Sequence, residues 1–189
     1  MNREHWLTTV AQQLEPFFKR KKLFLKPYKV TCGWPVHRGI AVKQRVLGEC
    51  HSYKTSKAGV AELFISPTLD EPLKVAGVVC HEMIHVAVGN ECGHKGMFRT
   101  ACKLLGMGGK PTSALPGRDL NKEVQKIIDG VGIYPHQAIE PIMKAVKKSA
   151  NAPIKLVCDC GCFIRITPKW LEEVGHPTCA CGGEFQEAD

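Results

Sequence analysis

The sequence predicts an α+β fold: a main domain of helices and small strands, followed by a short module held together by cysteines. Three observations carry this. The chain has 189 residues, 44% of them hydrophobic, enough for one domain with its own core plus a small appendage. Helical and strand-like hydrophobic spacings alternate along residues 1–143 without an internal repeat. Five of its ten cysteines fall within the last 32 residues, a density that in a reducing compartment points to metal ligation rather than disulfides.

The elements follow in chain order. Trp6, Leu7, Val10 and Leu14 have helical spacing over residues 3–15, and Pro16 is expected to kink or end that helix. The run Lys19-Arg20-Lys21-Lys22, with Lys26 nearby, reads either as a solvated helix end, where cations suit the dipole, or as a polyanion contact. Residues 28–36 and 40–50 look extended, punctuated by Gly33, Pro35 and Gly39. Residues 51–59 read as a polar hairpin loop. Val60 to Ser66 is a strand stopped by Pro67, at the edge of a sheet or inside it. Asp70-Glu71-Pro72 signals a helix start. The helix that follows, LKVAGVVCHEMIHVAVG, is apolar almost all round and should be buried. Gly89-Asn90 ends it. A second helix spans about 95–105, a Gly/Pro-rich loop 106–117, and a polar helix 119–130. Residues 144–155 are basic without periodicity and read as a linker to the cysteine module at 156–189.

Composition excludes some classes. The longest apolar run, Val75 to Cys80, is too short to span a bilayer. The first residues lack the apolar stretch of a secretory signal, so a cytoplasmic protein is expected. The formal charge of +8 suits nucleic acid or another polyanion, and equally a merely soluble basic protein.

His81-Glu82-Met83-Ile84-His85 matches H-E-x-x-H. Histidines four apart project from one helix face and can share a zinc ion. Glu82 beside them can take the proton of a zinc-activated water and pass it to a leaving amine. A catalytic zinc needs a third protein ligand. Glu91, Cys92 and His94 follow the helix, and ligand preference favours His94, with Glu91 next. The third histidine of a metzincin is absent, since Glu91 stands in its place.

HEMIH, a glycine-containing turn, then Gly93-His94 and Phe98, preceded by Glu62-Leu63-Phe64-Ile65-Ser66-Pro67, resembles the SprT-like metalloprotease family, closest to its short phage and bacterial forms. The resemblance covers about residues 25–186. It implies a zincin-like domain with a small antiparallel or mixed sheet. It also implies His81, His85 and His94 as zinc ligands and Glu82 as the base. Eukaryotic relatives cleave proteins crosslinked to DNA in a DNA-dependent way, which implies DNA, possibly single-stranded, as a partner.

Independently of the family, a strand just before the zinc helix can pair with an extended peptide, and Val60–Ser66 is the candidate. Tyr134, His136, His51 and Arg99 are candidates to stabilise the transition state, each with a structural alternative.

Cys158-Asp159-Cys160-Gly161 recurs as Cys179-Ala180-Cys181-Gly182 after 18 residues. Two such turns offer four thiolates for a closed structural zinc site. Glycine lets each turn fold tightly, so that backbone N–H groups can face sulfur. Cys162 is the spare, or replaces a ligand in a Cys158/Cys162 or Cys160/Cys162 pairing. Cys162 to Ile166 alternates like a strand, and Pro168 starts a helical turn. Arg165 and Lys169, with Trp170 as a stacking face, suit nucleic acid; alternatively Trp170 packs over the zinc turn as a mini-core.

Two function classes follow. One is a zinc-dependent peptidase acting on proteins associated with nucleic acid, with one catalytic and one structural zinc. The other is a nucleic-acid-binding zinc protein with a recruiting or regulatory role. A different metal-dependent hydrolase, such as an amidase, also fits, because the motif fixes water activation and not the bond cut.

Overall fold

A computed structural model describes residues 1–40, 45–140 and 151–187. It divides into two compact units, Met1–Ile142 and Met143–Asp189. Both mix helices with small sheets, an α+β architecture.

The first unit opens with α1 (Arg3–Arg20), capped by the Asn2 side chain, which accepts from His5 N–H at 2.8 Å. The helix continues through Pro16 rather than stopping there. Pro16 removes one ladder bond, a cost of about 3 kcal/mol in a helix interior, but it lies on the exposed face. The apolar stripe carries on beyond it, with Leu14 and Phe18 fully buried, so packing outweighs the lost bond. β1 (Tyr28–Cys32), β2 (Gly48–His51) and β3 (Ala61–Ile65) form a sheet in the order β1-β3-β2. β1 runs parallel to β3, and β2 antiparallel with Cys50 opposite Leu63.

The structure decides one open alternative and corrects one expectation. The strand before the metal helix lies at the centre of the sheet, not at its edge, because alternate residues Ala61, Leu63 and Ile65 are buried and both its sides are paired. Among the described residues, strand structure covers 28–32 and 48–50 of the two extended stretches; Pro35 and Gly39 instead shape a tight turn, in which a Cβ at Gly39 would lie 2.3 Å from the Pro35 carbonyl oxygen. Part of the second stretch, residues 41–44, lies outside the described residues.

α2 (Pro72–Val88) begins at its proline and ends at Gly89, where φ is +83°. α3 (Gly96–Leu105) ends at Gly106 in the left-handed conformation. The loop expected over 106–117 contains a small hairpin, β4 (Met107–Gly108) with β5 (Leu115–Pro116), around a 3-10 turn at Pro111–Ser113. α4 (Arg118–Val131) buries only Leu120, Val124 and Ile128, one stripe at i, i+4 and i+8. α1 and α4 both pack on α2, with Trp6, Phe18, Val79, Ile84 and Val124 fully buried. Trp6 Nε1–H donates to the Gly132 carbonyl at 2.8 Å.

The second unit contains β6 (Ile154–Val157), β7 (Phe163–Ile166), α5 (Pro168–Val174) and β8 (Gln186–Glu187), with sheet order β7-β6-β8. Of the expected linker, residues 144–150 lie outside the described residues, and Ile154 and Lys155 belong to β6. Leu156, Cys158, Cys179 and Phe185 are buried, with Ile154, Ile164, Ile166 and Leu171 packed around them. Trp170 is 55% exposed and is not the mini-core; Leu156 and Phe185 fill that place. No helix among the described residues is long and apolar enough to cross a membrane.

Candidate metal centres

α2 sets His81 and His85 one turn apart, and the chain then reverses through three glycines with positive φ, Gly89, Gly93 and Gly96. That reversal returns His94 to the helix. Its Nε2 lies 3.2 Å from Nε2 of His81 and 3.3 Å from Nε2 of His85. Tetrahedral zinc with bonds of about 2.0–2.1 Å separates two nitrogen ligands by about 3.3–3.4 Å, so the spacing fits one ion held by three imidazoles. Buried Phe98 supports all three rings, with centroids 5.0, 4.3 and 4.8 Å from those of His81, His85 and His94. His81 Nδ1 is 3.2 Å from the Ala114 carbonyl oxygen. A carbonyl only accepts, so Nδ1 carries the proton and Nε2 turns its lone pair to the other rings. Burial pushes His81 down to about 4 and His85 down to about 3, keeping both in the neutral form that a metal requires.

These rings stand in a cleft of about 700 Å³. One wall is β2 with Val46 and Leu47, the other is Thr112 to Leu115, and Val78, His81, Glu82 and His85 form the floor. β2 approaches the helix closely at Gly48. A Cβ there would lie 2.5 Å from Val78 Cγ1 and 2.6 Å from Glu82 Oε1, so only glycine lets the strand pass over the carboxyl. Asn90 Nδ2 donates to the Cys50 carbonyl at 2.7 Å, tying the end of α2 to the same strand. Glu82 is buried, and burial, with the charge of Glu49 adding to it, pushes its carboxyl up to about 8. A cation at the histidines acts in the opposite sense and favours the carboxylate. Burial also raises Glu49, but hydrogen bonds from the His37 ring and from the backbone N–H groups of His37 and Val36 outweigh it and hold Glu49 below its usual range.

The other expected residues fall elsewhere. Glu91 is exposed and pairs with Lys54, not with the histidines, because the glycine turn brings His94 inward instead. None of the four transition-state candidates lines the cleft as described. Tyr134 is buried against Trp6, ring centroids 4.8 Å apart. His136 Nε2 lies 2.9 Å from the Pro67 carbonyl oxygen. His51 packs edge-on to Phe64, and Arg99 is on the surface. Lys19 and Arg20 end α1, followed by Lys21 and Lys22, all four exposed. Gly48, Asn90 and the Ala114 carbonyl escape a reading of the sequence, since nothing local marks them; only tertiary proximity gives them a role.

In the second unit, Sγ of Cys158 lies 3.5 Å from that of Cys181, and Cys160 Sγ 3.6 Å from that of Cys179. Zinc–thiolate bonds of about 2.3 Å place sulfurs about 3.8 Å apart, so these four can hold a metal ion, compatible with zinc. The two turns are near copies. Gly161 and Gly182 have φ of +88° and +87°. Cys158 N–H donates to the Cys162 carbonyl at 2.9 Å, and Cys179 N–H to the Gly183 carbonyl at 2.7 Å. Cys162 therefore occupies the place of Gly183, and its thiol is exposed outside the four-sulfur group. Arg165 is exposed. Lys169 lies 3.7 Å from Glu173.

Comparison of the chain with protein-family models, with curated proteins and with solved structures yields no match.

Proposed function

We propose that the first unit is a zinc-dependent hydrolase and, more narrowly, a peptidase of the SprT-like kind, with a structural zinc ribbon after it. The observation that carries this is the set of three Nε2 atoms at zinc spacing on the floor of an open cleft, with Glu82 buried beside them. His81, His85 and His94 would hold the catalytic ion. Cys158, Cys160, Cys179 and Cys181 would hold the structural one. Bound at the histidines, zinc would polarise a carbonyl and lower the pKa of a water. Glu82 holds or releases a proton at its carboxyl within the cleft. β2, which pairs with β3 alone among the described residues, offers an edge along which an extended peptide can lie.

Nucleic acid is the proposed second partner, through the 19–22 cluster and the open face of the ribbon. On that face Lys155 stands opposite Arg165 and Val157 opposite Phe163. Phe163 is 60% exposed, with Lys155 Nζ 5.1 Å from its ring centroid. An exposed ring flanked by cations suits stacking of single-stranded bases.

The test is cleavage of a DNA-bound basic protein, with and without single-stranded DNA, by wild type and Glu82→Gln. Wild type is expected to cleave, and the variant to lose cleavage while keeping both metals. No cleavage by either, with DNA binding intact in both, sinks the peptidase reading and leaves a nucleic-acid-binding protein.

A further inference from the structure

The β4–β5 hairpin sits on bare helix backbone. Gly77 lies one turn before His81 on the same face of α2. A Cβ at Gly77 would come 2.8 Å from Pro116 Cδ and 3.4 Å from Leu115 Cδ2. The first of these is closer than real Cβ contacts come, so the hairpin docks where the helix has no side chain. Its base is anchored in the same way. Gly117 N–H donates to the Gly106 carbonyl at 2.8 Å, and a Cβ on Gly117 would lie 2.6 Å from that oxygen. Immediately before these anchors the chain buries Ala114 to 3% exposure and turns its carbonyl to His81 Nδ1. His85 has no such support, since its buried Nδ1 has no hydrogen-bond partner among the described residues.

We infer that the hairpin is a positioning element for the metal site: seated on Gly77 and closed at Gly117, it holds the Ala114 carbonyl against His81 and so fixes the ring that presents Nε2. The inference rests on the reading of the three histidines as metal ligands. A Cβ at position 77 pushes Pro116 away, withdraws the carbonyl and frees the ring to rotate. Outer-shell partners of ligating histidines typically contribute ~10- to 100-fold in metal affinity. Alanine is the better helix former, so such a loss at Gly77→Ala would not come from a weaker helix.

The experiment is a cobalt titration of the full chain. A four-thiolate site gives intense sulfur-to-metal absorption, whereas a three-imidazole site gives only weak visible bands, so the ribbon is an internal control. Gly77→Ala is expected to lose ~10- to 100-fold in cobalt affinity at the histidines only. Adding Pro116→Ala, which removes the clashing atoms, is expected to restore most of it. Gly117→Ala, at the second anchor, is expected to show the same selective loss and serves if Gly77→Ala does not fold. Wild-type affinity at the histidines in either glycine variant overturns the inference, as does a double variant as weak as Gly77→Ala alone. Absence of cobalt from the histidines in wild type overturns the metal-site reading itself.

Discussion

At the scale of single residues, the site depends as much on atoms that are missing as on those present. Gly48 is the clearest case, because its bare Cα lets β2 cross Glu82. Gly48→Ala is expected to move the Glu82 carboxyl or the strand by a few tenths of an ångström or more. Misplacement on the scale of 1 Å can cost on the order of 100-fold in rate, so turnover should fall by up to that factor, with far-UV circular dichroism and metal content unchanged. Steady-state cleavage with a metal count checks this; unchanged turnover would refute it. The HEMIH residues were legible in the sequence because helix geometry alone puts His81, Glu82 and His85 together. His94 was reached through ligand preference and the glycines before it. Gly48, Asn90 and Ala114 were not legible, since their partners lie on other elements. Cys162 was ambiguous for a related reason. Only the paired turns show that it stands where Gly183 stands in the second copy.

At the scale of elements, local signals marked where strands and helices form, but not their neighbours. The run Ala61 to Ile65 is a strand on its own evidence, yet its central place depends on β1 and β2 arriving on both sides. Pro16 was overruled by the same kind of long-range packing, through Leu14 and Phe18. Two predictions belong here. Leu120 is the first residue of the only stripe that α4 buries, so Leu120→Ala should cost about 2–5 kcal/mol. Chemical denaturation of the first unit measures this. On the ribbon face, Phe163→Ala should weaken single-stranded DNA binding by about 1–3 kcal/mol, the contribution of one stacked base. The slope of affinity against salt should hardly change, because no cation is lost. Lys155→Ala, by contrast, should make that slope shallower. Binding isotherms at several salt concentrations separate the two effects, and a Phe163 variant that binds as wild type rejects the stacking face.

At the scale of the whole molecule, the two units should respond differently to metal removal. The second unit buries Leu156, Cys158, Cys179 and Phe185, and two of those four are proposed ligands. So small a core does not outweigh chain entropy without its ion. Treatment with a strong chelator should release hydrogen-exchange protection across residues 154–187. The first unit, whose core reaches from Trp6 to Tyr134, should keep its protection and lose only turnover. Equal protection of both units after chelation would argue against a structural metal in the second.

The seating of α1 also bears on how the chain is made. Trp6, Leu7, Val10, Leu14 and Phe18 find their cover in β1, α2 and α4, and the Trp6 indole finds its acceptor at Gly132. α4 ends roughly 110 residues after α1 does, which at ribosomal rates of about 5–20 residues per second is on the order of 5–20 s. For that interval the part of the apolar stripe of α1 that α4 covers stays open and the Trp6 indole lacks its acceptor, although β1 and α2 are already made.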